Sequence, residues 1–528
     1  MNDKVKGFRP GPAAGVARRA QVAGVVVVAL VAGLGYGFAK PAASPAASAS
    51  ASTAQSTTTP VSSATLVCPV VKDSGATNVS TFSPGTVDVA GTSSETVTQL
   101  QGSAKPLTNV KAGTVGSATG INGGSDAASD ISNPIIARAT GADASGFTVT
   151  ETEPSASSGS LSADKGLASE NCSSPDTDFW FVGLGTDTTP FALLNLVNVD
   201  NIAADVTVTM YTAGGPLGQS QAQALQGITL PPNSQQSELV TALDTQNLGA
   251  PYAIHVVASA GRVAAAVLDW DNKIGGRDFI GAQKSATTLV VPGIPQAEHN
   301  EKVHLTLLSP DAGAQVALRW VGHSTITPAV GTTFSGNLVQ GKVTSVDLST
   351  VPTSGEYAAL EVCGADSAND DCLPVTGSSG AIPIVGGVEV IQSDDNGQDT
   401  AYTNPELPLS GDGIVADDQS GSVVTLTNTG SAAAEVKLTE TGTGSDPATN
   451  DSTVQVPAGQ TVGVPVTAPK GSSDFALTVT PQAGAQDVYA ARIEGTGSDL
   501  SIQPLSTAAE TVTIPAVGQD ASGLVPQN

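Results

Sequence analysis

The side chains in this sequence that could carry chemistry are few, and most of them are acids. The 528 residues include only four histidines: His255, His299, His304 and His323. Two fall in the segment EHNEKVH, residues 298–304, beside Glu298 and Glu301. Paired imidazoles next to a carboxylate are the ingredients of a zinc peptidase, but HExxH places its histidines one turn apart on a helix. Here the spacing differs, and His304 opens a strand-like alternation. No GxSxG elbow, phosphate loop or GxGxxG stands between a strand and a helix. The residues therefore describe a protein that is not an enzyme.

Two acidic loops could hold calcium: DWDNKIGGRD (269–278) offers Asp269 and Asp271, and SDDNGQD (393–399) offers Asp394, Asp395 and Asp399. Neither has the sixth-position glycine and twelfth-position glutamate of an EF-hand. Asp, Asn and Gly are also ordinary turn residues. Calcium is thus the one cofactor these residues could take, and no other is expected. Trp180, Trp270 and Trp320 could stack on sugars, yet each sits in an apolar stretch (DFWFVG, VLDW, LRWVG) that suits core packing. Leu373–Gly377 reads LPVTG, a match to the sortase tag. About 150 residues follow it, and Asp394 and Asp395 stand where a basic tail is needed, so the match is fortuitous.

Charge and hydropathy locate the chain. Residues 1–40 carry six Lys/Arg against Asp3 alone, which leaves 47 acids and 15 bases, a balance of −32, for the remainder. A body that acidic repels phosphate backbones, which excludes nucleic acid as a partner. Val22–Ala39 is an uncharged apolar run of 18 residues, about 27 Å as a helix. Arg18 and Arg19 before it hold the N-terminus in the cytoplasm. The expected order is a basic cytoplasmic tail (1–21), a transmembrane signal anchor (22–39) and a disordered Pro/Ala/Ser/Thr-rich stalk (40–64). The bulk is then extracytoplasmic on a single-pass cell-membrane protein. The alternative is secretion after cleavage in the Ala46–Ala49 region.

The body reads as all-β. Only 4% of residues are aromatic and 13% charged, with 58 Gly and 33 Pro, which suits short strands joined by many turns. Alternating apolar positions recur in FALLNLVNVD, KVHLTLLSPD and SVVTLTNTG. An aromatic-alanine pair opens a later strand each time: Tyr252-Ala253, Tyr357-Ala358 and Phe475-Ala476. The pairs lie 105 and 118 residues apart, the size of one immunoglobulin-like sandwich. The expected architecture is a separate N-terminal β-domain (65–180) followed by three Ig-like repeats (181–290, 291–392, 393–528). A propeller-like array is the alternative, because SATTLVVPGIPQ (285–296) recurs approximately as STAAETVTIPAVGQ (506–519). All four cysteines lie beyond the apolar run, where disulfides persist. Cys363 and Cys372 bracket a short polar loop, and Cys68 and Cys172 would tie the N-terminal domain's start to its end.

The stretch from Cys172 through Pro175, Trp180, Gly183 and Leu196-Val197-Asn198, with GRVAAAVLDW and Gly275-Gly276-x-Asp278, resembles an actinobacterial family of secreted or membrane-anchored proteins of unknown function. The resemblance implies an N-terminal anchor, a β-rich extracytoplasmic body and a setting near envelope glycan assembly. It implies no activity. The function expected is a non-enzymatic envelope scaffold or interaction surface. The alternative is a carbohydrate-binding accessory protein. Envelope polysaccharide, envelope proteins and the membrane are the expected partners.

Overall fold

The structure is a computed structural model that describes residues 56–514 except 69–77, 85–91, 101–104, 107–118, 122–132, 155–164, 186–189, 219–224, 244–249, 272–275, 297–301, 323–325, 329–335, 349–355, 365–381, 396, 420 and 444–446. The tail, the anchor, residues 40–55 of the stalk, the LPVTG match, Cys372, His299 and His323 lie outside the described residues; the rest of the expected disordered stalk is largely strand, at Thr57–Pro60 and from Ser63 onward, because it pairs with other segments of the body. Among the described residues no helix is long and apolar enough to cross a membrane. The secondary structure described is strand, with two short 3-10 turns at Gly141–Ala144 and Val240–Leu243.

Four successive segments, 63–171, 178–280, 288–403 and 413–505, repeat one strand order. With the strands numbered within a segment, the first pairs with the sixth, the sixth with the third and the third with the fourth. In the other sheet the order is fifth, second, seventh, eighth. Among the described residues every pairing is antiparallel, and no sheet closes on itself. In the second and third segments the fourth position is split into two short strands: Gly215–Pro216 and Ile228–Leu230, then Ile326–Pro328 and Asn337–Leu338. The segment 63–171 shares this order although its sixth strand, Ile135–Thr140, has Ile-Ile where the others have an aromatic and alanine. That kinship is invisible in the side chains and plain in the hydrogen bonding.

The burial pattern explains why these residues make these strands. The third strand Ala204–Thr212 buries Ala204, Val206, Val208 and Met210 and turns Asp205 and Thr207 outward, the period-2 alternation of a half-covered strand. Ala434–Gly442 does the same with Ala434, Val436 and Leu438. The seventh strands are covered on both faces. Ala264–Asp271 and Val385–Asp394 are buried almost throughout, because one face packs within the sandwich and the other meets neighbouring sandwiches. Each pair of sheets closes on its own apolar core, for example Phe181, Leu194, Leu196, Val208 and Ile254 in the second. Each such side chain contributes about 1.5–3 kcal/mol on leaving water.

The four sandwiches form a closed ring. Val67, Ile136, Val197 and Ala264 join the first to the second. Trp180, Val182, Leu308 and Val385 join the second to the third. Val290, Val321, Ala359 and Tyr489 join the third to the fourth. Phe82, Ile414, Ala416 and Ala476 then join the fourth back to the first. The tandem repeats are thus arranged in a circle, as the propeller alternative supposed, but each unit is a two-sheet sandwich and not a single blade. A two-stranded antiparallel ribbon, Thr57–Pro60 against Thr511–Ile514, brings the two ends of the body together.

Candidate functional site

The four eighth strands, Ala168–Asn171, Arg277–Ile280, Gly397–Thr403 and Asp499–Leu505, meet where the sandwiches converge. Two carboxylates there are shared by the whole ring. Asp399, from the third sandwich, accepts the amides of Leu167 (2.9 Å), Arg277 (3.1 Å), Leu500 (2.7 Å) and its own neighbour Thr400 (2.8 Å). Asp278, from the second, accepts the amides of Ser169 (3.2 Å), Phe279 (2.9 Å) and Tyr402 (3.4 Å) and the Ser501 hydroxyl (3.1 Å). Each therefore touches donors from all four sandwiches. Backbone at this depth has no water to bond, so a buried carboxylate with several acceptor sites is a fitting common partner.

Glycines make the approach possible. Gly166 (φ +107°) and Gly276 (φ +103°) precede two of the eighth strands in the left-handed region. A Cβ on Gly166 would run into the Asp399 carboxylate, and one on Gly276 into Thr400.

Two arginines bring positive charge to this interior, and both are about 1% exposed. Arg277 pairs with Glu153 at 3.2 Å and also donates to the carbonyls of Gly166 and Pro154. Arg492 pairs with Glu494 at 3.0 Å and lies 3.6 Å from Asp418, and it donates to the Asp417 carbonyl and the Ser169 hydroxyl. Acids outnumber them. Burial pushes Asp269 and Asp417 up to about 7 and Asp399 up to about 8, the last against the pull of its four amides. Burial also raises Asp278, Glu151 and Glu170 well above the ordinary carboxylate range, with neighbouring carboxylates adding to each shift.

The residues singled out from sequence are distributed through this frame. Asp269 is buried and accepts the Gly185 amide (3.0 Å) and the Tyr402 hydroxyl (3.1 Å). Asp271 is fully buried. Asp394 is exposed and accepts the amides of Gly397 (3.0 Å) and Ser498 (3.3 Å), and Asp395 is exposed. These five do not converge on one point: Asp269 and Asp399 serve as acceptors inside the ring, while Asp394 holds a surface turn. Among the described residues, one group has metal-ligating spacing: Cys68, Glu151 and Cys172. Its two sulfurs are bonded to each other, as the sequence led us to expect, so neither is available as a thiolate. Cys363 is also disulfide-bonded.

Trp180 and Trp320 are 4% and 3% exposed, which leaves neither ring a face for a sugar. Trp180 stacks on His255 with centroids 3.9 Å apart. Trp270 is partly covered and stacks on Phe191 at 5.6 Å. His304 hydrogen-bonds through Nδ1 to Glu389 at 2.9 Å, and that bond raises its pKa.

Sequence reading passed over Arg277, Tyr402, Arg492 and Gln503. Arg492 had one signal, a charge directly after the apolar run VYAA; the other three stand in mixed polar stretches that carry none. A cleft of about 330 Å³ opens at one end of the hub, lined by residues from all four sandwiches, among them Glu170, Phe279, Asn404, Glu406 and Gln503. Gln503 is 4% exposed, and neither its amide nitrogen nor its amide oxygen has a hydrogen-bond partner. Glu170 Oε1 is likewise buried without a partner.

The fold and hub define an all-β protein built from circularly packed repeats. Residues 121–467 match the family described as "Family of unknown function (DUF5719)", and the chain belongs to that family. No curated protein matches the chain. One solved structure, a tetra-tandem repeat in the extending region of a large adhesion protein, is 14% identical over 86% of this chain and 100% of that one. Its TM-score of 0.10 is too low to carry any argument.

Proposed function

We propose that this is a non-enzymatic, membrane-anchored protein of an actinobacterial cell envelope, whose ring of sandwiches is an extracytoplasmic scaffold or interaction surface. The observation that supports this is the sharing of Asp278 and Asp399 by all four sandwiches. Such sharing fixes the outer faces of the four units relative to one another, which is what a platform for partners requires and a flexible string of modules lacks. The units are read as immunoglobulin-like in the broad sense of two packed antiparallel sheets. They differ in order, since their first strand pairs with the sixth, where an Ig constant-type domain places its first beside its second. The membrane link rests on Val22–Ala39 and the basic residues before it.

The test is made in cells. The protein should sediment with membranes, be digested by protease added to intact cells, and crosslink to envelope proteins through photoreactive residues on the outward third strands. Recovery in the cytosol, protected from external protease, would sink the reading. For the carbohydrate-binding alternative, the buried Trp180 and Trp320 offer no platform.

A further inference from the structure

We propose that the outer edge of one strand, Thr449–Val456, is a docking site for an extended, basic segment of another protein, which joins the fourth sandwich as an added strand. This rests on the interaction-surface reading and gives it a place and a kind of partner.

A strand at the end of a sheet shows a row of unpaired amides and carbonyls that invites another strand, and proteins blunt such edges with short strands, prolines and inward charges. The other edges of this ring are blunted. Each sandwich's first strand is bridged on its open side, by Val67–Ser173, Trp180–Gln283, Val290–Glu406 and Gly413–Thr507. In the fourth position the strands Lys105–Pro106, Gly215–Pro216 and Ile326–Pro328 are short and end in proline. In the fifth, Thr119–Ile121 and Thr344–Asp347 are short, and Ser234–Leu239 turns Glu238 inward opposite Leu194. Gln460–Pro465 is met by the third sandwich, whose Gly322 carbonyl accepts the Thr461 amide at 2.9 Å. Thr449–Val456 has none of these devices. It is eight residues long, unbroken, free of proline and exposed over most of its length, and among the described residues it pairs on one side only, with Ala434–Gly442.

The ladder fixes which of its groups point out. Gly442 donates to the Ala448 carbonyl and Gln482 to the Glu435 carbonyl, both at 2.9 Å. Orientation alternates along an antiparallel ladder, so the backbone groups of Asn450, Ser452 and Val454 point to the third strand. Those of Asp451, Thr453 and Gln455 then point to the open side, and among the described residues nothing bonds them.

The surroundings sort the occupants. On the inward face Val454 is only half-buried, and Val462 and Val464 on the facing sheet are likewise partly covered. The core is thus unfinished at this edge and takes an apolar side chain at every second position of an added strand. On the outward face stand Asp451, more than half exposed and 3.0 Å from Lys437, and the exposed Glu435. Residues 413–505 hold ten Asp/Glu against three Lys/Arg, and one of the three, Arg492, is buried in the hub. A strand with Lys or Arg at its outward positions meets that field with the opposite sign. A second copy of this chain would meet it with the same sign.

The experiment titrates the full chain, in non-ionic detergent, against a fluorescent peptide of the strand's own length, eight residues, alternating Lys and Val. Its anisotropy should saturate, and hydrogen–deuterium exchange over residues 449–456 should slow in the complex. A peptide of the same composition with all its lysines in one block, equal in charge but not alternating, should bind at least about tenfold more weakly. Thr453→Pro removes an outward amide and spares the ladder to the third strand, so it should weaken the alternating peptide by about tenfold or more at an unchanged thermal midpoint. If that variant fails to fold, Asp451→Lys on the exposed face decides: it should move the preference from the Lys-Val peptide to one alternating Glu and Val. Absence of saturable binding, equal binding of the blocked peptide, unchanged exchange at 449–456, or indifference to the substitutions overturns the proposal. So does a concentration-dependent dimer of the unaltered chain that Thr453→Pro abolishes, because the edge then belongs to a second copy. None of these outcomes bears on the fractionation and protease digestion that test the envelope reading.

Discussion

At the residue scale, the telling feature is an interior that gathers acids and holds several of them against ionisation. Asp269, Asp417 and Glu406 stand near 7 and Asp399 near 8, all raised by burial. The folded protein therefore binds more protons than the unfolded chain, whose carboxyls titrate near 4. Stability is at its fullest below about pH 4 as far as these groups are concerned, and it declines as the pH rises through about 8. His304, raised by Glu389, pushes the same way. Unfolding free energies from urea titrations at pH 5 and pH 8.5 should differ by at least about 2 kcal/mol in favour of pH 5, and greater stability at pH 8.5 would contradict the assignment. Little of this was legible in the sequence. Asp269, Asp278 and Asp399 lie in strands, but in sequence they stand in or beside stretches rich in Gly, Asn and Asp, where the ordinary reading is a turn or a calcium loop. Which donors come to an acid from segments 100 residues or more away is set by ring closure, and no local pattern encodes that. The family motif Gly275-Gly276-x-Asp278 did mark the spot, since Gly276 permits the close approach and Asp278 is one of the two shared acceptors.

At the scale of elements, the sequence spoke more clearly, because strands and turns are specified locally. Asn428 in NTG is the last residue of the second strand of the fourth sandwich, and its side chain bonds the carbonyls of Ala432 (2.8 Å) and Val456 (3.0 Å) and the Gly430 amide (2.9 Å). Asn198 does the same in the second sandwich with Ile202 and Leu230, at 2.8 and 3.1 Å. One buried asparagine thus ties two turns together. The aromatic-alanine pairs do open the sixth strands. The Tyr252 hydroxyl makes no hydrogen bond, so that ring is packing and not the bonded corner seen in immunoglobulin domains. The first sandwich escaped notice because it has neither device: Ile135 opens its sixth strand, and Ser83 follows its second. Asn428→Ala should cost about 1–3 kcal/mol in urea unfolding, since it strands two buried carbonyls, while Asn450→Ala on the exposed face should cost under about 0.5 kcal/mol. Equal costs for the two would show that the turns do not depend on this side chain.

At the scale of the whole molecule, closure changes what the repeats are. A linear array unfolds as the sum of its units and their nearest-neighbour contacts. Here each sandwich has two neighbours, and all four share Asp278 and Asp399: loss of the second or third orphans donors in the other three, and the first or fourth cannot leave without orphaning its own. Calorimetry of the folded body should show one transition, and a body in which Asp399→Ala removes the shared acceptor should melt lower and in resolved steps. Separate transitions in the unaltered protein would mean the sandwiches behave as independent beads. The ribbon that joins Thr57–Pro60 to Thr511–Ile514 has a mechanical meaning as well. Thr57 faces Ile514 and Pro60 faces Thr511, so both strands run outward from the body at the same end. A tug applied between those two ends pulls on the outermost pair alone, and the four pairs open in succession like a zip, never in shear. Until the last has opened, no tension reaches the sandwiches, and the ring rides out the load behind a small sacrificial clasp.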